Sequence, residues 1–253
     1  MKRTVFLILM LCYLVGSLMA QENKTLSRFE GQKITGIDAS SCWYIEITEG
    51  AGTQATISFP ARFEKNVVFE LNSDGTLKLG INGEAKMQKD EKFTAVVVCS
   101  ALHRVELSGA CKLNWNGKFT ADKMDIDLSG ASQVAINGGL MATTLLKVEL
   151  SGASKLSALA ESGQVDIDLS GASSLTLKGK AGSGKVEVSG AAKGEMGEFV
   201  MQKAMVDLSG ASKANMNASE LIEGEISGAS KLSYQGTAVT RVDVSGASKL
   251  KHE

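Results

Sequence analysis

The tripeptide Ser-Gly-Ala begins at Ser108, Ser129, Ser151, Ser170, Ser189, Ser209, Ser227 and Ser245, at intervals of 21, 22, 19, 19, 20, 18 and 18 residues. Repetition at so narrow a spacing restricts the chain to architectures in which one supersecondary unit is stacked many times. The residues before each tripeptide repeat as well. They read Val105-Glu106-Leu107, Ile126-Asp127-Leu128, Val148-Glu149-Leu150, Ile167-Asp168-Leu169, Val186-Glu187-Val188, Val206-Asp207-Leu208, Gly224-Glu225-Ile226 and Val242-Asp243-Val244. Apolar, charged, apolar is the period-2 alternation of a strand with one buried face. Past the tripeptide, Lys112, Lys155, Lys193, Lys213, Lys231 and Lys249 recur four residues after the serine, with Leu113, Leu156, Leu232 and Leu250 behind some of them. A second glycine falls nine residues after the serine at Gly117, Gly138, Gly179 and Gly236.

One unit therefore reads as strand, glycine corner, strand, glycine-containing turn and a third, less regular strand. Coils of 18–22 residues predict an all-β, three-sided parallel β-helix, right-handed, with the Ser-Gly-Ala-Ser corners about 4.8 Å apart along the stack. Hairpins would place the motif in two alternating registers, and a propeller blade needs about 40 residues. Glycine supplies the unusual backbone angles of the corner. The alanine is expected to point into the bend, and the serine hydroxyls to hydrogen-bond along the stack.

Residues 21–100 are less regular and are read as leading coils or a capping region, with the regular array over 101–253. Ile37-Asp38-Ala39-Ser40-Ser41 looks like a degenerate corner. Tyr44-Ile45-Glu46-Ile47 and Thr76-Leu77-Lys78-Leu79 alternate as strands, and Ala95–Val98 reads as a buried strand. Asn72-Ser73-Asp74-Gly75 is a turn between Val67–Leu71 and Leu77–Ile81. Terminal units of solenoids are atypical because they must seal the core.

Residues 1–20 have the layout of a secretory signal peptide: Lys2 and Arg3, an apolar run from Val5 to Val15, then the small residues Gly16 and Ser17 and a cut after Ala20, with Leu18 an imperfect residue at the third position before it. The run is too short for a spanning helix, and nothing later is apolar for long enough. A mature chain without a membrane span is expected, in the periplasm, at the cell surface or secreted. Cys12 follows Leu11 and is a poor lipoprotein cysteine. Of the remaining cysteines, Cys42, Cys99 and Cys111, at most one pair can bridge; their spacing fits no zinc site, and they read as small buried apolar residues. With 27 basic and 28 acidic residues, bulk charge implies no nucleic-acid partner.

The acids before the corners, Glu106, Asp127, Glu149, Asp168, Glu187, Asp207, Glu225 and Asp243, would stack into an outward ladder, and they are the candidate surface site. A solvated face balanced by the lysine row is favoured over calcium or a catalytic pair. Calcium-binding β-rolls use Gly-Gly-x-Gly-x-Asp turns, and Gly138-Gly139 is the sole Gly-Gly here. Catalytic acids need environments that drive their pKa values apart, which a ladder does not provide. Asp125 with Asp127 and Asp166 with Asp168 read as two outward residues on one strand. His103 reads as a surface residue at the entrance of the array, and His252 lies at the C-terminus. No catalytic, cofactor or metal residue is expected. An enzyme of β-helical fold, a polysaccharide lyase or hydrolase, is the alternative, but the arginines left after cleavage (Arg28, Arg62, Arg104, Arg241) and the aromatics Trp43, Tyr44, Trp115 and Tyr234 are scattered and read as core or cap. The threonine ladders of an ice-binding face are lacking.

The lead-in Val96-Val97-Val98-Cys99-Ser100-Ala101-Leu102-His103-Arg104-Val105-Glu106-Leu107-Ser108-Gly109-Ala110, followed by the Ser-Gly-Ala-Ser repeats, resembles the head GIN domain family of bacterial auto-transporter adhesins, common in Bacteroidetes. The resemblance spans roughly residues 28–250. It implies a β-helical exported domain; together with the residues above, the reading is a non-enzymatic surface or periplasmic protein that binds a surface ligand, a glycan or a protein, through a β-helical face. An auto-transporter carries a C-terminal membrane barrel; Glu253 follows Ser245 by eight residues, so no such barrel is expected after the array.

Overall fold

The computed structural model describes residues 22–83, 87, 88 and 90–253. The apolar leader, its cut after Ala20 and Cys12 lie outside them. Strands β1 (Asn23–Arg28), β2 (Gly36–Ala39), β3 (Trp43–Glu49) and β4 (Gln54–Pro60) are followed by one 3-10 turn, Ala61–Phe63. Next come β5 (Val67–Leu71), β6 (Thr76–Ile81), β7 (Phe93–Cys99), β8 (Arg104–Leu107), β9 (Lys112–Asn116) and β10 (Phe119–Leu128). One long element then serves each coil: β11 (Gln133–Leu150), β12 (Lys155–Leu169), β13 (Ser174–Val188), β14 (Lys193–Leu208) and β15 (Lys213–Ile226). The last coil is β16 (Lys231–Gln235), β17 (Val239–Val244) and β18 (Lys249–His252).

The predicted parallel β-helix is what forms. Equivalent residues stack in register, Leu156 on Leu175, Ala160 on Gly179 and Ile167 on Val186, one from each side of the coil. Inward positions are apolar and buried: Val165, Ile167 and Leu169 before the corner, Leu175 and Leu177 after it, Ala181 on the third side. The unequal coil lengths have a local cause. The longest coil shifts register between Ile136 and Leu140 and between Ala142 and Leu145, so extra residues bulge at the second and third corners and the Ser-Gly-Ala-Ser corner stays constant.

That corner is fixed by its glycine twice over. Gly130, Gly152 and Gly171 have φ of 68°, 67° and 68°, a left-handed conformation that L side chains pay about 1–2 kcal/mol to adopt. A Cβ on Gly171 would also stand 2.7 Å from the Gly152 carbonyl oxygen of the coil below. The expected orientation of the other corner residues is reversed. Ala131, Ala153 and Ala172 point to solvent, and the fourth residue, Ser132, Ser154 or Ser173, is the one buried. The stack is held by main-chain bonds: the Ala153 amide donates to Gly130 O at 2.7 Å and the Lys155 amide to Ser132 O at 2.9 Å. Serine hydroxyls add to this in places: Ser212 donates to Ser230 at 3.1 Å, Ser230 reaches Gly210 O at 3.5 Å, and the first serines Ser170, Ser227 and Ser245 reach carbonyls of the coil below at 3.4, 3.4 and 3.5 Å. Ser132, Ser154 and Ser173 have buried hydroxyls with no partner.

Residues 22–99 join the same sheet in an order the sequence does not follow. β2 lies between β8 and β6, and β3 between β9 and β7, all in parallel. The chain thus makes one coil, drops beneath it with β6 and β7, and returns above it with β8 and β9. Ser41 occupies the corner position below Gly109 with φ of 83°, which makes it the degenerate corner. β7 is not buried on both faces as expected; Ala95 and Val97 point inward, while Val96 is 47% exposed. Antiparallel pairings of β1 with β4, β4 with β7 and β5 with β6 finish this end, the last through the Asn72–Gly75 turn. Trp43 and Phe63 pack edge-on against Phe93, with ring centroids 5.5 and 5.0 Å away.

Cys99 and Cys111 are buried free thiols, Cys111 at the inward corner position, and desolvation pushes both up to about 11. Cys42 departs from the expectation by being only partly buried.

Candidate functional site

Outward residues of the strand before the corner form the expected ladder. Glu106 pairs with Asp127, Asp127 with Glu149, Glu149 with Asp168, Asp168 with Glu187, Glu187 with Asp207, Asp207 with Glu225 and Glu225 with Asp243. Asp38 extends it below Glu106. Aspartate and glutamate alternate strictly along the column. Neighbouring carboxylates therefore sit at different heights above the sheet, which widens their separation beyond the rung spacing of about 4.8 Å. The next outward column, two residues earlier, runs Arg104, Asp125, Lys147, Asp166, Lys185, Met205, Glu223, Arg241. Its cations serve the glutamates of their own strands: Arg104–Glu106 at 2.9 Å, Lys147–Glu149 at 2.6 Å and Lys185–Glu187 at 3.0 Å.

Asp127 and Asp168 follow the acids Asp125 and Asp166 on their own strands instead of a cation, and both carboxyls are shifted. Partial desolvation, followed by the negative charges of Glu149 and Glu106, raises the Asp127 carboxyl above its ordinary value. Asp168 is raised in the same way, with Glu187 and Glu149 as the neighbouring charges. Lys147 and Lys185 are raised by hydrogen bonds to their glutamates. Among the described residues no three of His, Cys, Asp and Glu converge as a metal site would require. A groove of about 490 Å3 opens beside this face where the charge pattern breaks, walled by Leu145, Val165, Met205 and Leu221 with Asp166 and Lys185 at its lip.

Across the corner the first outward column is basic. Tyr44, Lys112, Gln133, Lys155, Ser174, Lys193, Lys213, Lys231 and Lys249 lie in one register. A near-neutral chain is thus acidic on one side of the corner ridge and basic on the other. The second column carries Asn114, Ala135, Ser157 and Thr176. Tyr44 was expected in core or cap, yet the residue is 43% exposed and its hydroxyl accepts a bond from Asn114 Nδ2 at 2.8 Å. Tyr44, Lys112, Asn114, Gln133, Lys155, Ser157 and Thr176 line a shallow trough of about 390 Å3. The alternation Trp43-Tyr44-Ile45 carries the signal that places this ring outward.

The other singled-out residues do not join it. Trp43 and Trp115 are fully buried, so neither can stack on a ligand. Tyr234 is partly buried and stacks on His252 with centroids 4.7 Å apart. His103 is exposed and lines a separate depression with Asp122 and Lys123.

Comparison with known proteins places this geometry among relatives. The family model described as "Putative auto-transporter adhesin, head GIN domain" matches residues 33–238. No curated protein matches. Among solved structures, a "putative adhesin" from Parabacteroides merdae has a TM-score of 0.83 at 15% identity, over 92% of this chain and 97% of that one. Another from Parabacteroides distasonis gives 0.80 at 17%, over 92% and 98%. A "putative lipid binding protein" from the same species gives 0.76 at 12%, over 92% and 98%. At these identities the likeness concerns the fold.

Proposed function

Because the chain belongs to the family described as "Putative auto-transporter adhesin, head GIN domain", we propose that it is an exported, non-enzymatic adhesin that holds a surface glycan on the basic side of its solenoid. The trough around Tyr44 carries this reading. An exposed aromatic ring offers a flat apolar face to the C–H face of a sugar. The amide and hydroxyl groups of Asn114, Gln133, Ser157 and Thr176 lie beside it on the same sheet and match sugar hydroxyls as donors and acceptors. Lys112 and Lys155 favour an acidic glycan. Residues 1–20 have the signal-peptide layout, and no helix among the described residues is long and apolar enough to cross a membrane. The non-enzymatic reading is supported by the family description, which names an adhesin.

Glycan-array binding with wild type, Tyr44→Ala and Lys155→Ala, paired with a turnover screen on polysaccharides, tests this. Saturable binding that Tyr44→Ala weakens about tenfold, with no product, is expected, since an aromatic platform contributes roughly 1–1.5 kcal/mol. Product formation would overturn the adhesin reading. Binding to protein-coated but not glycan-coated surfaces would move the ligand to the protein class.

A further inference from the structure

The two ends of the solenoid are finished differently. Antiparallel strands seal the end at β1, β4 and β5. At the other end, among the described residues, β17 bonds only to β15 and β18 only to β16. The last coil nevertheless continues the core columns: Val242 stands over Gly224, Val244 over Ile226 and Leu250 over Leu232. Ile226 and Leu232 are fully buried, whereas Val244 is 46% and Val239 61% exposed. A terminal coil facing water would be expected to carry a polar outer surface. The free edge of β18 carries Lys249 and Lys251, residues that discourage strand pairing. β17, Val-Thr-Arg-Val-Asp-Val, has no lysine, proline or glycine and presents an open edge.

Its outward charges identify what covers it. Arg241 and Asp243 flank Val242, and among the described residues they make no ion pair, although the same two positions are paired in the coils of Glu106, Glu149 and Glu187. We propose that a second copy of this chain pairs antiparallel with β17 about a two-fold axis at Val242, joining two solenoids end to end. In that register Arg241 of each copy faces Asp243 of the other, Val242 faces Val242, and Val244 faces Thr240. A two-fold interface requires such a self-complementary strand, and opposite charges directly across antiparallel strands are favourable.

Sedimentation equilibrium of the purified protein tests this with Arg241→Asp, Asp243→Arg and the double exchange. Wild type should be a dimer. Each single reversal sets like charges across both symmetry-related pairs and should weaken it about tenfold per pair, on the order of a hundredfold in all. The double exchange restores opposite charges and should restore the dimer. All four chains should melt alike at low concentration, because both residues are exposed. A monomeric wild type overturns the proposal. So does a dimer indifferent to the single reversals, or one that the double exchange fails to rescue.

Discussion

At the scale of single residues, the corner assigns four neighbours four different tasks, and only some were legible. The glycine was, because left-handed φ and close stacking both select it. Gly171→Ala combines a positive-φ penalty of about 1–2 kcal/mol with the contact of a new Cβ against the Gly152 carbonyl. A loss of at least about 2 kcal/mol in a denaturant melt is expected, and an unchanged midpoint would rule out this account. The inward serine was misassigned to alanine, although the strand's own parity reaches it: Leu128, Gly130, Ser132 and Val134 alternate straight through the corner. Since Ser154 buries an unpartnered hydroxyl, Ser154→Ala should be neutral or stabilising by about 1 kcal/mol. Ser230 donates to Ser227 O at 2.8 Å and accepts from Ser212, so Ser230→Ala should cost about 1 kcal/mol. Equal midpoint shifts for the two variants would contradict the distinction.

At the scale of the strand, composition concealed what register exposes. Bulk charge near neutrality excludes a strongly basic or acidic chain, yet period-2 strands sort the same charges into an acidic and a basic column. The order of the leading strands was not legible, because β6 and β7 carry no corner motif to declare which coil they extend. Tyr44 was missed for a related reason: its partners Lys112 and Asn114 lie about seventy residues away in sequence and become neighbours only when β9 settles on β3. The ladder has a testable pH signature. Asp127 and Asp168 are raised in the folded state, so the folded protein binds more protons than the unfolded chain between the ordinary carboxylate value and the raised one. Their contribution to stability is therefore favourable below that window and is lost as pH rises through it. Asp127→Asn and Asp168→Asn should raise Tm at pH 7, and the gain should vanish on acidification to about pH 3, below the ordinary aspartate value near 3.9. Melting wild type and variants across this range checks it; a gain that persists in acid would mean that the charge is not its source.

For the whole molecule, stability is distributed one coil at a time. Each coil gains its buried area from the coils on either side, so an interior coil is held twice and a terminal one once. The sealed end adds antiparallel pairings and the Trp43, Phe63 and Phe93 rings. The last coil has one neighbour and leaves Val239 and Val244 in water. Local opening should therefore start at β17 and β18 and move inward, with free energies rising from near zero at the fraying end towards the global value. Native-state hydrogen exchange at a concentration where chains are single should show amides of β17 and β18 exchanging first. Those of β16 and β15 should follow, and those of β12 to β14 should be best protected. Raising the concentration should protect β17 selectively if a second copy covers it, while β18, with its edge lysines, stays labile. Uniform protection along the stack in the single chain would instead mean that the solenoid opens as one unit, and nearest-neighbour contacts alone would no longer account for its stability.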